Sequence, residues 1–343
     1  MREIEMAPKS DRVAILDILR FIAAMMVVLY HYTARHGSSS FPNLSKITEY
    51  GYLGVPIFFV ISGFVIAMSA DNRSAWKFLV SRVTRLYPAY WICLTITILV
   101  AITFGNNNFS FYEMLSNYTL LNDYLGIPDV DGVYWTLHAE IKFYACIFFM
   151  LLVGMYNKNY IWIPIWMILT ATFFMLEQPF FMGWFISPFY SPFFIVGILL
   201  YQVRKQGASV LNTCGYIVAG GLCVYMGSVQ IDGFVEFVTS YKRVVASVFV
   251  FTMLIIFYLI AGGSISIKPA GWVTLLGAIT YPLYLLHNSI GTTIIDASAS
   301  LLGEQLSVLV VVIVMLLSSV FIHKYLEQPL TLFLRSIFKK VGG

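Results

Sequence analysis

The sequence predicts an all-α fold, a polytopic bundle of about ten helices that cross a membrane, because about 20 apolar residues span a bilayer as a helix. Three observations predict this fold, two of them from the composition. Of the 343 residues, 59% are hydrophobic and 11% are charged, against about 25% charged in soluble domains, and the mean hydropathy is +0.81. The third observation is that the apolar residues fall into long runs separated by short polar stretches. The net charge of +4 fits loop cations and does not indicate nucleic-acid binding.

Ten spans are predicted within one transmembrane domain that covers residues 1–343. In chain order they are 13–33, 51–70, 86–104, 135–155, 160–176, 184–203, 211–229, 244–262, 271–295 and 306–326. A polar tail, residues 1–12, precedes them, and a basic tail that carries Arg335, Lys339 and Lys340 follows them. Pro188 and Pro192 interrupt the sixth span, because proline removes a helix hydrogen bond. Residues 105–134 carry aromatic side chains and three aspartates but no lysine or arginine. We expect this stretch to form a folded loop or a re-entrant segment outside the membrane, as a cap over the outer mouth of the bundle.

The loop charges predict the orientation of the chain. With ten spans and a cytoplasmic N-terminus, the loops on the outer side hold only Arg35, Lys46, Lys242 and Arg243, and nearly all other lysines and arginines face the cytoplasm. Cytoplasmic loops carry this excess of positive charge in membrane proteins. Both termini are therefore predicted to be cytoplasmic, in a multi-pass protein of the cell inner membrane.

The first span contains Asp17, Arg20 and His31. A charged side chain at the centre of a bilayer costs roughly 2.5–3.5 kcal/mol, so such groups usually face a polar interior. Arg20 and His31 are eleven positions apart, which places both on one face of a helix, and Asp17 lies three residues before Arg20 and can pair with it. This face is interpreted as the wall of a polar tunnel. The alternative is a snorkelling arginine and a structural histidine.

Two further polar groups lie at opposite ends of neighbouring spans. Arg82 and Arg85 are three residues apart on one helical face, and guanidinium groups bind phosphate oxygens in a bidentate manner. The alternative is a pair of topology anchors.

Glu140 lies about one turn inside the fourth span, and it is able to orient a histidine or hold a cation. His138 and Lys142 share a face of the same helix, so a structural polar network is the alternative there.

Small and aromatic residues mark two other spans. Ser62 and Gly63 allow a helix or a ligand to approach closely. Tyr284 and His287 share a face after Pro282, which permits a kink, and the sequence does not decide whether His287 lines a pathway or is structural. Glu327, at the end of the tenth span, is expected to pair with an arginine or to anchor the helix end. The four cysteines lie in apolar runs, so we expect no disulfide framework and no metal site.

Taken in order, these segments resemble the acyltransferase family 3 membrane proteins, which acylate sugars of bacterial cell-surface glycans. The segments that carry the resemblance are Leu16–Ala23 with His31, Gly54–Phe64, Arg82–Tyr90, Trp135–Leu137 with Glu140 and Phe143-Tyr144, Tyr281–His287, and Glu327 with Pro329. Pro56 departs from the family's pattern, because many members have an acidic or polar residue there, and Lys142 is also unexpected. The chain ends soon after the tenth span, so no fused periplasmic domain is expected.

The resemblance implies a reaction and a set of partners. The donor would be acetyl-CoA, bound by Arg20, Arg82 and Arg85, with Ser62, Tyr284 and His287 also in contact with it. His31 would act as the general base on a hydroxyl of a glycan or lipid-linked saccharide, and Asp17 or Glu140 would orient it. Direct transfer and an acyl-histidine intermediate both stay open. No metal is implied, and membrane lipid is the surrounding partner.

Two other functions compete with this interpretation. A transporter would use His31, Glu140 and Lys142 as a polar relay. Paired broken helices in the two halves of the chain would favour this function. Only the sixth span has prolines of this kind, which counts against a transporter. A membrane sensor or scaffold would use the same polar residues for structure alone. It predicts that His31→Ala unfolds the protein, whereas the enzyme would stay folded and lose activity.

Overall fold

Long apolar runs form helices in this protein, as the sequence predicts. The computed structural model describes residues 13–36, 39–104, 108–176 and 180–341, and every regular element in those ranges is helical. The α-helices are, in chain order, α1 Ala14–Leu29, α2 Ser45–Thr48, α3 Gly54–Ala70, α4 Ala75–Phe104, α5 Phe111–Thr119, α6 Trp135–Leu152, α7 Asn159–Met175, α8 Phe180–Ile186, α9 Ser191–Gln206, α10 Val210–Gln230, α11 Ser240–Ala261, α12 Gly271–Leu286, α13 Ser289–Leu302, α14 Glu304–Phe321 and α15 Gln328–Val341.

The all-helical class is confirmed. Within the described ranges, seven helical segments are long and apolar enough to cross a membrane: Ala14–His36, Ser45–Ala70, Ala75–Phe104, Gly132–Leu152, Val210–Gly233, Ser240–Ala261 and Glu304–Lys340. Three shorter helices are also apolar, namely Asn159–Met175, Gly271–Leu286 and Ser289–Leu302. The predicted polar tail of residues 1–12 lies outside the described residues, as do residues 105–107 of the predicted cap.

Two helices end in π-helical turns, which hold one more residue per hydrogen-bonded turn than an α-helix. The first, Tyr30–His36, continues α1 and contains His31. The second, Ile322–Glu327, joins α14 to α15. Short π-helical stretches are rare and often lie at functional sites. Both stretches here contain a histidine that contacts another polar or aromatic side chain.

Helix α3 lies at the centre of the bundle and packs along α9. Nearly all of its side chains are buried, so its surface is apolar on every side. The two helices come closest at Gly63 and Gly197, where a Cβ atom added to Gly63 would collide with the carbonyl oxygen of Phe194. Only a residue without a side chain fits this crossing. The close packing fixes the position of Ser62, the next residue to Gly63 in the chain.

Two predicted spans are each divided into two helices. Within 184–203 the chain breaks between α8 and α9, and Pro192 lies in the first turn of α9, where proline is tolerated. Within 271–295 the chain breaks at His287 and Asn288, between α12 and α13. The basic tail that follows the tenth predicted span forms helix α15.

The segment before α6 is folded against the bundle. Helix α5 begins with a capping box, in which the side chain of Ser110 accepts from the backbone of Glu113 and the Glu113 carboxylate accepts from the backbone of Ser110. Three aromatic side chains of α4 donate hydrogen bonds to backbone carbonyls of the segment, at distances of 2.7–3.0 Å; the donors are Tyr87, Tyr90 and Trp91. The segment is therefore an ordered layer against the middle of α4.

Candidate functional site

Two neighbouring cavities, which share part of their lining, lie between α1, α3, α4, α6, α12 and α15. The larger, here called the basic chamber, has a volume of about 1060 Å³, and the smaller, here called the inner cavity, has a volume of about 280 Å³. Four arginines line both of them and so mark the boundary between them, here called the passage: Arg20, Arg82, Arg85 and Arg335. A long ligand placed here would have one end in the chamber and a narrower end in the inner cavity.

The basic chamber carries a strong positive charge. Its lining includes seven lysines and arginines but a single carboxylate, Asp17; the cations are Arg20, Arg73, Lys77, Arg82, Arg85, Arg335 and Lys339. Like charges held this close repel each other in the absence of a counter-charge. A cavity of this sign attracts and binds anions, and guanidinium groups match the geometry of phosphate.

Neighbouring side chains hold the arginines at the passage in place. Nη2 of Arg82 donates to Ser69 at 3.0 Å and to Ser81 at 2.8 Å, while its buried Nε has no hydrogen-bond partner among the described residues. Nη1 of Arg85 lies 3.1 Å from the buried carboxylate of Glu327. Each of these arginines keeps donor groups for a ligand, because a guanidinium carries five N–H donors.

Arg20 and Asp17 form the pair that their spacing predicts. Nη1 of Arg20 lies 3.9 Å from a carboxylate oxygen of Asp17. Asp17 also lies directly over Gly277 of α12, where an added Cβ atom would collide with its carboxylate. This close approach of α1 to α12 places Arg20 at the passage between the cavities.

The inner cavity has apolar walls and a few polar groups. Ser62 donates a hydrogen bond of 2.7 Å to Glu140, and both residues line the cavity. Thr136 donates to the hydroxyl of Tyr284 at 3.0 Å, and Tyr284 donates in turn to the carbonyl of Val133 at 3.3 Å. Such a narrow and largely apolar space fits an uncharged chain better than a charged one.

His31 lies beyond the inner cavity and is not among the residues that line it. A series of ring contacts connects the two: Phe58 to Tyr284 at 5.6 Å, Tyr284 to His287 at 5.5 Å, and His287 to His31 at 5.1 Å between ring centroids. These are normal distances for edge-to-face contact. His31 is therefore separated from the inner cavity by the rings of Tyr284 and His287.

His287 is fully buried and held in one tautomer. Its Nδ1 lies 2.7 Å from the carbonyl oxygen of Tyr284. Because a carbonyl only accepts, Nδ1 must carry the proton and donate. The other ring nitrogen, Nε2, has an available lone pair and no partner among the described residues. The histidine pair therefore combines a fixed, neutral His287 with the less buried ring of His31.

Asp131 fixes the helix break beside His287. It accepts hydrogen bonds from the side chain of Asn288 at 2.7 Å and from the backbone of Ser289 at 2.9 Å. Tyr32 donates to the carbonyl oxygen of His287 at 2.7 Å. Burial raises the pKa of the Asp131 carboxyl above its usual value. The hydrogen bonds from the Asn288 side chain and from the backbones of Ser289 and Val133 act in the opposite direction.

The structure brings some of the predicted site residues together and separates others. Arg20, Ser62, Arg82, Arg85, Glu140 and Tyr284 surround one continuous space. Asp17 and Glu140, expected to orient His31, contact Arg20 and Ser62. Lys142 binds Asp123 of the folded segment at 3.0 Å, and His138 binds Asp129 at 2.8 Å.

The sequence analysis missed Asp131 as a determinant of the site and treated Arg335 and Lys339 as a basic tail. Arg335 and Lys339 are four residues apart in a segment with alternating apolar and polar faces, and that pattern was the signal for an amphipathic helix. Asp131 gave no such signal, since its partners at the helix break, Asn288 and Ser289, are more than 150 residues away. Among the described residues, no group of three or more histidine, cysteine or acidic side chains is arranged to hold a metal ion.

Comparison with known proteins adds an independent finding. The family model described as an acyltransferase domain matches residues 13–324, nearly the whole chain. ORF330 of Acidianus two-tailed virus, named as a candidate acetyltransferase, is 27% identical over 57% of this chain and 59% of its own. An O-acetyl transferase of Shigella phage Sf6 is 33% identical over 37% of this chain and 39% of its own.

A third relative is the exopolysaccharide production protein ExoZ of Rhizobium meliloti (strain 1021). It is 30% identical over 28% of this chain and 32% of its own length. The chain therefore matches less than two thirds of the length of each of these relatives. No solved structure matches the chain significantly.

Proposed function

The chain belongs to the acyltransferase family whose model it matches, and on that premise we propose that it is a membrane O-acetyltransferase. It takes an acetyl group from cytoplasmic acetyl-CoA and transfers it to a sugar hydroxyl of a polysaccharide or lipid-linked saccharide outside the inner membrane. Relatives named as an O-acetyl transferase and an exopolysaccharide production protein support this acceptor class. The observation that carries the proposal is the basic chamber that narrows into an apolar cavity.

The shape and charge of the two cavities suit an acyl-CoA. Its phosphate groups carry several negative charges, and its pantetheine arm is narrow and uncharged. Arg82 and Arg85, with Arg20 beside them, would bind phosphates at the passage, where guanidinium donors remain available. The arm would then extend into the inner cavity, toward Ser62 and Tyr284.

His31 is the proposed general base. It would take the proton of a sugar hydroxyl, while the hydroxyl oxygen attacks the carbonyl carbon of the thioester. The C–S bond then breaks, an ester forms, and the thiolate of CoA takes up a proton. General-base catalysis by a positioned side chain contributes about 10²- to 10⁴-fold in rate. His287 would contact both the arm and His31, because its ring lies between Tyr284 and His31.

The proposed topology has the ten predicted spans, formed by the seven long helical segments together with α7, the α8–α9 segment and the α12–α13 segment. The basic chamber then opens to the cytoplasm, where acyl-CoA is found, and His31 lies toward the opposite side. The donor and the acceptor would thus approach the histidine pair from different sides of the membrane, and CoA itself would not cross.

The experiment uses purified protein in nanodiscs and measures acetyl-CoA binding by calorimetry and thiol release with a polysaccharide acceptor. We expect His31→Ala to bind acetyl-CoA like the wild type but to turn over about 10²- to 10⁴-fold more slowly. Its control is His36→Ala, which changes a histidine of the same π-helical segment that pairs with exposed Asp296.

Arg82→Gln tests the donor site in the same assay. We expect its acetyl-CoA Kd to rise at least about tenfold, because a charge-assisted hydrogen bond contributes roughly 1.5–3 kcal/mol. Arg204→Gln is the control, since Arg204 is exposed in the last turn of α9 and lines neither cavity. A folded wild-type protein without affinity for any acyl-CoA would refute the proposed function.

A further inference from the structure

One part of the basic chamber lies beyond the passage arginines. The side chains that line the chamber but not the inner cavity include Arg73, Trp76 and Lys77 of the α3–α4 region, and Phe338 and Lys339 of α15. These five residues are here called the outer subsite. The outer subsite thus combines three cations with two aromatic rings.

The aromatic pair of the outer subsite is available to a ligand. The rings of Trp76 and Phe338 meet edge to face, with centroids 6.3 Å apart and an angle of 73° between the planes. Trp76 is 45% exposed although it lines a cavity. An edge-to-face contact covers at most one face of one of the two rings, so the exposed indole keeps a face that can accept another flat ring by stacking.

Helix α15 completes the subsite. Arg335 and Lys339 are four residues apart and thus share a face of the helix, and both line the chamber. Leu332, Phe333 and Ile337 on the same helix are exposed. Helix α15 lies beyond residue 324, where the match to the family model ends. The family match therefore does not explain its contribution to the chamber.

We propose that the outer subsite binds the adenosine 3′-phosphate portion of the donor. Trp76 would stack on the adenine, and Arg73, Lys77 and Lys339 would bind the ribose 3′-phosphate. This proposal rests on the proposed function and extends it by naming the part of the donor that the outer subsite binds. CoA carries phosphate at two places, the diphosphate and the ribose, and the chamber has cations in two places as well.

The proposal has a consequence for donor choice. An acyl group on a carrier protein is attached to phosphopantetheine, which has the narrow arm and one phosphate but no adenine and no ribose phosphate. Such a donor would leave the outer subsite unoccupied. The protein should therefore prefer acyl-CoA over thioesters that lack the nucleotide.

The test measures the Kd of CoA, 3′-dephospho-CoA and 4′-phosphopantetheine for the full-length protein in nanodiscs of neutral lipid. For the wild type we expect CoA to bind about tenfold more tightly than 3′-dephospho-CoA, since each hydrogen-bonded charge contributes about a factor of ten. In the double variant Lys77→Gln/Lys339→Gln the two affinities should become nearly equal. Lys340→Gln is the matched control, because Lys340 is the next residue, is exposed and lines neither cavity.

Trp76→Ala tests the stacking separately. It should weaken CoA and 3′-dephospho-CoA to the same extent, roughly tenfold, and leave 4′-phosphopantetheine unchanged, since base stacking on an aromatic side chain typically contributes a factor of this size or more. Thermal unfolding of each variant shows whether it remains folded. A destabilised Trp76→Ala is replaced by Trp76→Leu, which keeps the apolar volume without the flat ring.

The outcomes separate this proposal from the proposed function. If the wild type binds CoA and 3′-dephospho-CoA equally well, the outer subsite is refuted while the donor site stands. Equal loss of all three ligands in the double variant also refutes it, because the cations would then act through the general field of the chamber. If the wild type binds none of the three ligands, both proposals fail. A last outcome would assign the cations to a lipid surface instead. In that case the wild type binds anionic-lipid vesicles, the double variant does not, and the wild type does not distinguish CoA from 3′-dephospho-CoA.

Discussion

The two ends of the polar pathway are built in opposite ways. At the basic chamber, seven cations face one lining carboxylate, so the charge is left to be balanced by a ligand. At the histidine end, the groups around the helix break are matched within the protein, since Tyr32 binds the His287 carbonyl and Asp131 binds Asn288 and Ser289; the buried Nε2 of His287 has no partner among the described residues. The difference indicates that the chamber is suited to bind an anion, whereas the histidine end is held rigidly by the protein's own contacts.

Both ends use a π-helical segment, but for different contacts. Tyr30–His36 presents His31 to the ring of His287. Ile322–Glu327 places His323 and Glu327 so that the histidine lies 2.7 Å from the carboxylate, which also binds Arg85. At the first segment the His31 ring contacts the rings of Tyr30 and His287. At the second, the histidine and the carboxylate together fix an arginine of the chamber.

The largest effect on stability is expected at the histidine end. Asp131→Ala leaves the Asn288 side chain and the Ser289 backbone without their acceptor in a buried place, which costs about 3 kcal/mol. We expect the unfolding free energy in mixed micelles to fall by that amount. The control is Asp123→Ala, which removes a half-exposed ion pair with Lys142 worth about 0–1 kcal/mol. Equal losses in the two variants would contradict the tight matching described here.

The next effect concerns the basic end. Glu327→Gln removes the charge that holds Arg85 and His323, and we expect a loss of about 1–3 kcal/mol in stability. The acetyl-CoA Kd should rise only a few-fold, because Arg85 then keeps its charge but loses its fixed position. Asp296→Asn provides a comparison, since Asp296 is 65% exposed and pairs with His36. A tighter Kd in Glu327→Gln would mean that the carboxylate competes with the donor for Arg85.

Salt should distinguish the two ends. Raising NaCl from about 50 to about 500 mM shortens the Debye length about threefold, and we expect the acetyl-CoA Kd to rise roughly tenfold as the chamber's field is screened. The stability difference between wild type and Asp131→Ala should stay constant over the same range, because buried hydrogen bonds are screened little. A donor affinity that does not change with salt would argue against binding through the chamber's cations.

The local parts of the site followed from the sequence. The Asp17–Arg20 pair and the shared face of Arg82 and Arg85 depend only on helix geometry, and the structure has that pair and places both arginines on one cavity. The all-α class followed equally from composition. The resemblance to the acyltransferase family rested on ordered motifs, and the family match confirms it.

The remaining features depend on contacts between distant parts of the chain. The break within 271–295 occurs at His287 and Asn288, where no proline or glycine marks it, and Asp131 fixes it from 157 residues away. Arg85 and Glu327 are 242 residues apart. The α-helical period of 3.6 residues per turn also ends at Tyr30, where the π-helical segment begins. Sequence spacing cannot show such features, because the cause lies in tertiary packing.

The smallest expected effect lies between the two ends. Ser62→Ala removes the 2.7 Å hydrogen bond to Glu140, a contribution of about 1 kcal/mol. Ser62 was predicted to contact the donor, but its hydroxyl donates its hydrogen bond to Glu140. We therefore expect kcat to fall about fivefold with little change in the acetyl-CoA Kd. Ser298→Ala is the control, because that hydroxyl bonds the backbone of its own helix. A raised Kd at constant kcat would instead mean that the Ser62 hydroxyl contributes directly to donor binding, as the passage arginines are proposed to do.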